Sequence, residues 1–237
     1  MLGARDYAWK VKREIVNALV SSIDYETVLD IGCAKGEQLR SYVKYGKKGY
    51  GLDILNLRKI TKNEENIQFI QGDALNLPFK DESFDLVVAT EIIEHLPDHY
   101  TFLREIHRVL VPGGHLVIST PNLSRYPPFL RGIIRRWFIK RGKYSHIQNV
   151  EGKQYGHISE VTSKQLRMEL ENTGFKIISL EYGAFDPAIL PFLPFDFDHN
   201  MLFQKVYIIM DKITNLKVLK PVTKWDMIVK AKKWIEG

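Results

Sequence analysis

Five short segments, each almost wholly apolar, recur between Thr27 and Thr120 and are separated by stretches with helical spacing. Thr27-Val28-Leu29-Asp30-Ile31-Gly32 is a β-branched run ending in glycine and predicts a buried strand. Gly49-Tyr50-Gly51-Leu52-Asp53 predicts a second strand, ending in an acid. Ile67 to Gln71, Phe84 to Ala89 and His115 to Thr120 predict a third, fourth and fifth. Ahead of them, Ala8, Val11, Ile15, Ala18 and Leu19 repeat every three or four residues and predict a helix over Arg5 to Ser22. Gly36 to Tyr45 and Tyr100 to Leu110 predict two more helices, the latter stopped by Pro112-Gly113-Gly114. A strand apolar on both sides cannot leave either face in water. The alternation therefore implies a doubly wound α/β fold, a parallel sheet covered by helices on both faces.

The second half is less regular. Thr162 to Asn172 predicts a helix ended by Gly174, and Phe175 to Tyr182 a strand. Asp186 to Asp198 is rich in proline and phenylalanine and predicts a loop, Met201 to Asn215 a helix, and Asp226 to Lys230 a last strand. With 237 residues and 45% hydrophobic content, one domain with an insertion fits: a core over 24–122, an insertion over 123–157 and a C-terminal part over 158–237. The single cysteine, Cys33, excludes an internal disulfide and a four-cysteine zinc site, and points to a reducing compartment. The first residues contain no apolar run of signal-peptide type, and no stretch of about 18 uncharged apolar residues occurs. A soluble, cytoplasmic protein is expected.

The net charge of +6 is localised. No Asp or Glu occurs between Ile106 and Val150, while Arg125, Arg131, Arg135, Arg136, Lys140, Arg141 and Lys143 crowd one segment. There Phe129, Leu130, Ile133, Ile134, Trp137 and Phe138 share one side of a predicted helix, with Arg131, Arg135 and Arg136 on the other. Three readings compete: a lid over a substrate, a basic amphipathic helix resting on anionic lipid through 125–144, and a helix packed on its own domain. Nucleic acid is disfavoured, because one basic helix without an RNA-binding module is a weak footprint.

The chemistry lies in the turn Asp30-Ile31-Gly32-Cys33-Ala34-Lys35-Gly36, between a strand and a helix. Glycines there let the backbone turn tightly against a ligand. A dinucleotide fingerprint needs glycine at the first, third and sixth positions, but counting from Gly32 the third is Ala34 and the sixth Glu37. A phosphate loop needs Gly-Lys-Ser/Thr, and Gly36 is followed by Glu37. Neither a pyrophosphate nor an ATP-type ligand fits.

Val28 to Gly36 resembles the first motif of class I S-adenosylmethionine-dependent methyltransferases. The likeness extends to Asp53, to Gly72-Asp73-Ala74 with Leu77-Pro78-Phe79, and to Phe84 to Ala89 running into Glu91-Ile92-Ile93-Glu94-His95-Leu96. Leu110 to Leu116 with Ser119-Thr120-Pro121-Asn122 is similar to the segment after the core in the quinone-biosynthesis-like branch. Each motif alone is weak; five in order over Thr27 to Asn122 are specific. The resemblance implies a mostly parallel seven-stranded Rossmann-like sheet with the basic helical insertion after the fifth strand. It implies S-adenosylmethionine as cofactor, with S-adenosylhomocysteine as product and no metal. The cofactor residues it implies are Asp30, Gly32, Cys33, Ala34, Gly36, Asp53, Ile54, Gly72, Asp73, Ala74, Thr90 and Glu91. Asp53 would hold the ribose hydroxyls, Asp73 the adenine amino group, Leu52, Ile54 and Leu75 the adenine faces, and Asp30 the ammonium. Ala34 stands where the family usually has glycine, and its methyl is tolerated if the φ there is negative.

Methyl transfer is chiefly a positioning task, with a base needed when the nucleophile is an alcohol or phenol. His95 is the foremost base candidate and His157 the second, with Tyr7 and Tyr155 behind them. Thr90-Glu91-Ile92-Ile93 stands where amino-methylases of nucleobases carry Asn/Asp-Pro-Pro-Tyr/Phe, and Cys33 is misplaced for a cytosine-carbon methylase. Thr90 also stands where catechol-type enzymes place a magnesium-binding acid. The expected function is therefore O- or C-methylation of a small-molecule or lipid-like acceptor. The alternatives are a non-catalytic S-adenosylmethionine-binding protein and an RNA methyltransferase.

Overall fold

The structure, a computed structural model, describes residues 4–43, 47–55, 62–125, 148–150, 153–155, 159, 161–184, 209–214, 224 and 226–234. Helix α1 (Ala4–Ser21) leads into β1 (Thr27–Ile31), α2 (Glu37–Tyr42), β2 (Lys48–Asp53) and β3 (Ile67–Gln71). Then follow β4 (Phe84–Thr90), α3 (His99–Val109) and β5 (Leu110–Pro121). A small hairpin, β6 (Gln148–Val150) with β7 (Lys153–Tyr155), precedes α4 (Ser163–Asn172), β8 (Phe175–Tyr182) and β9 (Asp226–Lys233).

The main sheet has seven strands in the order β3-β2-β1-β4-β5-β9-β8. β1 through β5 pair in parallel, and β9 runs antiparallel to both β5 and β8. Chain order reverses between β1 and β4, and such sheets bind ligands outside the carboxyl ends of the strands at that reversal.

Alternating side chains explain why these strands are apolar throughout. Leu29, Ile31, Val87, Ala89, Leu116 and Ile118 join one core with Phe102, Leu103 and Ile106 of α3 and Leu166 and Leu170 of α4. Val28, Leu86, Val88 and Val117 join a second core with Val16 and Val20 of α1 and Leu39 of α2. Two of the helices are started by side-chain caps. The Asp98 side chain accepts from the Thr101 amide to start α3, and Thr162 with Gln165 forms a reciprocal capping box at α4.

Three expectations shift. The buried stripe of α1 is Lys12, Val16 and Val20, whereas Ala18 is exposed. The true spacing is four and four, so the helix is turned relative to the face read from the sequence. The fifth strand begins at Leu110, with Pro112-Gly113-Gly114 inside it rather than before it. The register jumps from Phe84↔Leu110 to Leu86↔His115, and the glycine pair makes that bulge. Gly113 has φ 78°, and a Cβ on Gly114 would sit 3.0 Å from the Val111 carbonyl oxygen. Finally, of the helix expected over Met201 to Asn215, residues 209–213 are helical and the rest lie outside the described residues. The predicted loop over Asp186 to Asp198 lies outside them too, as does the basic helix, apart from the backbone of Arg125 and the small hairpin after it.

Candidate cofactor and acceptor site

At the reversal point the chain leaves β1 through a left-handed turn. Gly32, Ala34 and Gly36 all have positive φ, at 77°, 45° and 73°. The condition of a negative φ at Ala34 is therefore not met: its methyl is carried in a conformation that costs alanine roughly 1–2 kcal/mol. Glycine is needed at Gly36 for a second reason, since a Cβ there would lie 2.4 Å from the Phe69 ring. The Gly32 and Cys33 amides both donate to the Leu52 carbonyl, at 2.8 and 3.2 Å, locking the turn to β2.

Asp53 completes that lock. Its Oδ2 accepts from the Ala34 amide at 2.9 Å, and its Oδ1 from the Leu55 amide at 3.0 Å. The carboxylate is thus fixed at the mouth of the turn, with further lone pairs available for a diol. Asp73 makes the same kind of turn after β3, accepting from the Leu75 amide at 2.9 Å, and its side chain stays exposed. Gly72 leaves room for Leu52, which would sit 2.9 Å from a Cβ at that position. Leu52 is 1% exposed and belongs to the core, so it cannot cover an adenine face as expected; β2 alternates, and Leu52 points inward. Ile54, at 44% exposed, and the half-buried Leu75 remain open to a planar ring.

Asp30 lies in β1 beneath the turn at 2% exposure. Among the described residues no hydrogen bond or ion pair reaches its carboxylate. Burial, with the charge of Asp53 added, pushes its pKa up to about 8. A buried acid without a partner calls for a cation or a donor from a ligand. Cys33 sits beside it as a buried thiol, raised by burial and by Asp30, so the sulfur is no nucleophile here.

The end of β4 forms the other wall. Thr90 is half-buried, and its hydroxyl lies 3.5 Å from Gln38 Oε1 on α2. Glu91 has φ 55° and turns back into the protein, where Oε1 accepts from Ser119 Oγ at 3.2 Å and Oε2 meets Lys12 Nζ at 3.2 Å. Lys12 also lies 3.7 Å from Asp226 Oδ2. Burial disfavours its charge, but Glu91, Asp226 and Glu94 outweigh that and raise its pKa. Glu94 is fully buried and accepts from Thr120 Oγ1 at 3.0 Å. His95 follows at 26% side-chain exposure. Lys12 and Asp226 escaped the sequence reading. The four-residue spacing of Lys12, Val16 and Val20 is the signal that would have placed the lysine on the buried face. Tyr7 donates to Asp211 at 3.2 Å. His157 and the side chain of Tyr155 lie outside the described residues.

No group of three or more His, Cys, Asp or Glu residues able to hold a metal occurs among the described residues. Among them too, no helix is long and apolar enough to cross a membrane.

Sheet order, reversal-point turn and acid-ended β2 together define the nucleoside-binding α/β fold of the methyltransferases. Comparison with known proteins agrees. Residues 29–118 match the family model described as a methyltransferase domain. An uncharacterized protein of Methanocaldococcus jannaschii is 30% identical over 185 residues, 71% of this chain and 68% of that one. The demethylmenaquinone methyltransferase of Staphylococcus epidermidis is 34% identical over 158 residues, 59% of this chain and 66% of that one. Norajmaline N-methyltransferase of Rauvolfia serpentina is 40% identical over 102 residues, 39% of this chain and 35% of that one. Among solved structures, a Haloferax volcanii putative methyltransferase in complex with the Trm112 methyltransferase activator superposes with a TM-score of 0.63 at 18% identity, covering 98% of this chain and 92% of that one. The chain belongs to the class I S-adenosylmethionine-dependent methyltransferases, and S-adenosylmethionine is the cofactor of that family.

Proposed function

We propose that the protein methylates the oxygen or carbon of a small or lipid-like acceptor at the carboxyl edge of β1 and β4. The observation that carries this reading is the buried carboxyl of Asp30, without a protein partner among the described residues, beneath the left-handed turn after β1, with the fixed carboxylate of Asp53 beside it. An ammonium suits Asp30, and a ribose diol suits Asp53. The residues present fit S-adenosylmethionine, whose sulfonium supplies an electrophilic methyl group when bound.

Gly32, Cys33, Ala34, Gly36, Ile54, Gly72, Ala74 and Thr90 lie at or just after the ends of β1, β2, β3 and β4, the edge at which the donor is proposed to bind. Glu91 acts on it indirectly, as its carboxylate is spent on Lys12 and Ser119. His95, partly exposed at the end of β4, takes the acceptor's proton as general base, which is worth about 10²–10⁴-fold for a hydroxyl acceptor. The demethylmenaquinone methyltransferase relative supports a quinone-like, lipid-like acceptor; the basic segment 125–144 supports access to it from an anionic membrane surface. The norajmaline N-methyltransferase relative favours a second reading, an amine acceptor.

A radiolabelled methyl-transfer screen over hydroquinone, phenolic, lipid and amine acceptors tests the proposal. Transfer to a hydroxyl or ring carbon, reduced at least tenfold by His95→Gln, supports it. Transfer to amines alone would replace it with the second reading.

A further inference from the structure

The polar cluster behind β4 contains more acid than base. Glu91, Glu94 and Asp226 converge on one ammonium, that of Lys12 from α1. Glu91 and Asp226 both lie within 4.0 Å of it, at 3.2 and 3.7 Å, which leaves Glu94 as the third and most costly negative charge. Glu94 is 0% exposed. Thr120 Oγ1 donates to its Oε2, while its Oε1 has no hydrogen-bond partner among the described residues. That oxygen points to His95, with Nε2 4.0 Å away. A single short 3-10 turn, Ile93–His95, carries both side chains, and the Ser159 amide holds the Glu94 carbonyl at 3.1 Å.

We propose that Glu94 is the positioning residue of His95, holding the imidazole through Oε1 and sharing a proton with it. This rests on the reading of His95 as the base. Thr120 fixes the rotamer of the carboxyl so that only Oε1 is left to face the ring. A torsional adjustment of the imidazole closes the ~1 Å between the present contact and hydrogen-bond distance. Burial, then the charge of Glu91, raises the proton affinity of Glu94 well above that of an ordinary carboxyl, with Thr120 and Lys12 opposing in part. The carboxyl therefore keeps a proton that His95, the half of the pair that reaches solvent, exchanges. When the ring takes an acceptor's proton it becomes an imidazolium, whose charge favours release of the Glu94 proton to solvent and leaves a carboxylate opposite the ring, so the two titrate as one coupled pair. Among the described residues, Lys12 from α1, Glu91 after β4 and Thr120 from β5 act on Glu94, and Asp226 of β9 meets Lys12.

The test is an imidazole nitrogen NMR titration of the full chain, with His95 assigned through His95→Gln. Glutamine matches a protonated carboxyl in shape, so Glu94→Gln should fold and should bind the methyl donor as wild type does. The proposal expects Glu94→Gln to lower the His95 midpoint by about one pH unit. Glu94→Asp, which keeps an ionisable carboxyl, should recover part of the shift. With the best hydroxyl acceptor from the screen, Glu94→Gln should lower kcat at least tenfold and leave KM within twofold. An unmoved His95 midpoint in Glu94→Gln overturns the proposal whatever the activity does. A lowered midpoint with turnover unchanged in both Glu94→Gln and His95→Gln upholds the pairing and instead overturns His95 as base.

Discussion

The Ala34 amide donates to Asp53 Oδ2 at 2.9 Å, so the turn after β1 and the acid ending β2 are one hydrogen-bonded unit. Asp53 is thereby the clasp that holds a left-handed alanine in place, at the edge where the methyl donor is proposed to bind.

Replacing Ala34 by glycine should stabilise the protein. The left-handed φ costs alanine about 1–2 kcal/mol, and the added freedom of glycine in the unfolded chain returns about 0.5–1 kcal/mol of that. A net gain of about 0.5–1 kcal/mol is expected by urea denaturation, with donor affinity kept. A loss of stability would contradict the strain reading.

Asp30 sets a pH dependence with a defined sign. Its folded pKa, pushed up to about 8, lies above the ordinary carboxyl value, so the folded state holds the extra proton between about pH 4 and 8. Stability of the ligand-free protein should therefore fall as pH rises through that window. Glu94 adds in the same direction. Thermal melts of wild type and Asp30→Asn should diverge with rising pH, the variant becoming relatively more stable. Parallel curves would count against the assignment.

Donor binding should release a proton near pH 7, because Asp30 must ionise to pair with an ammonium. Calorimetry in two buffers of different ionisation enthalpy measures this directly. Equal apparent enthalpies in wild type would show that Asp30 does not meet the ligand's charge.

Lys12→Met removes the cation shared by Glu91 and Asp226. With all three side chains largely buried, breaking such a cluster costs about 3–5 kcal/mol. Denaturation midpoints should show it, and the deficit should grow with pH as the acids ionise. A change under about 0.5 kcal/mol, the range of an ordinary surface substitution, would show the cluster to be neutral.

The sheet was legible because its signal is strong and local. Strands such as Leu86-Val87-Val88-Ala89 are apolar on both faces, and that pattern has few structural solutions. Glycines and acids at strand ends were legible for the same reason. What escaped was set by tertiary context. The φ of Ala34 depends on Asp53, nineteen residues away in sequence. The inward turn of Leu52 depends on the gap left by Gly72, and the burial of Lys12 on acids more than seventy residues distant. No window along the chain contains these pairs.

The central claim is that the crevice at the β1–β4 reversal holds a sulfonium nucleoside. Isothermal titration of wild type and Asp53→Ala with S-adenosylmethionine and S-adenosylhomocysteine tests it most directly. The account expects saturable one-to-one binding of both compounds by wild type, weakened at least tenfold in the variant. No binding by wild type, or a dissociation constant unchanged in Asp53→Ala, would contradict it.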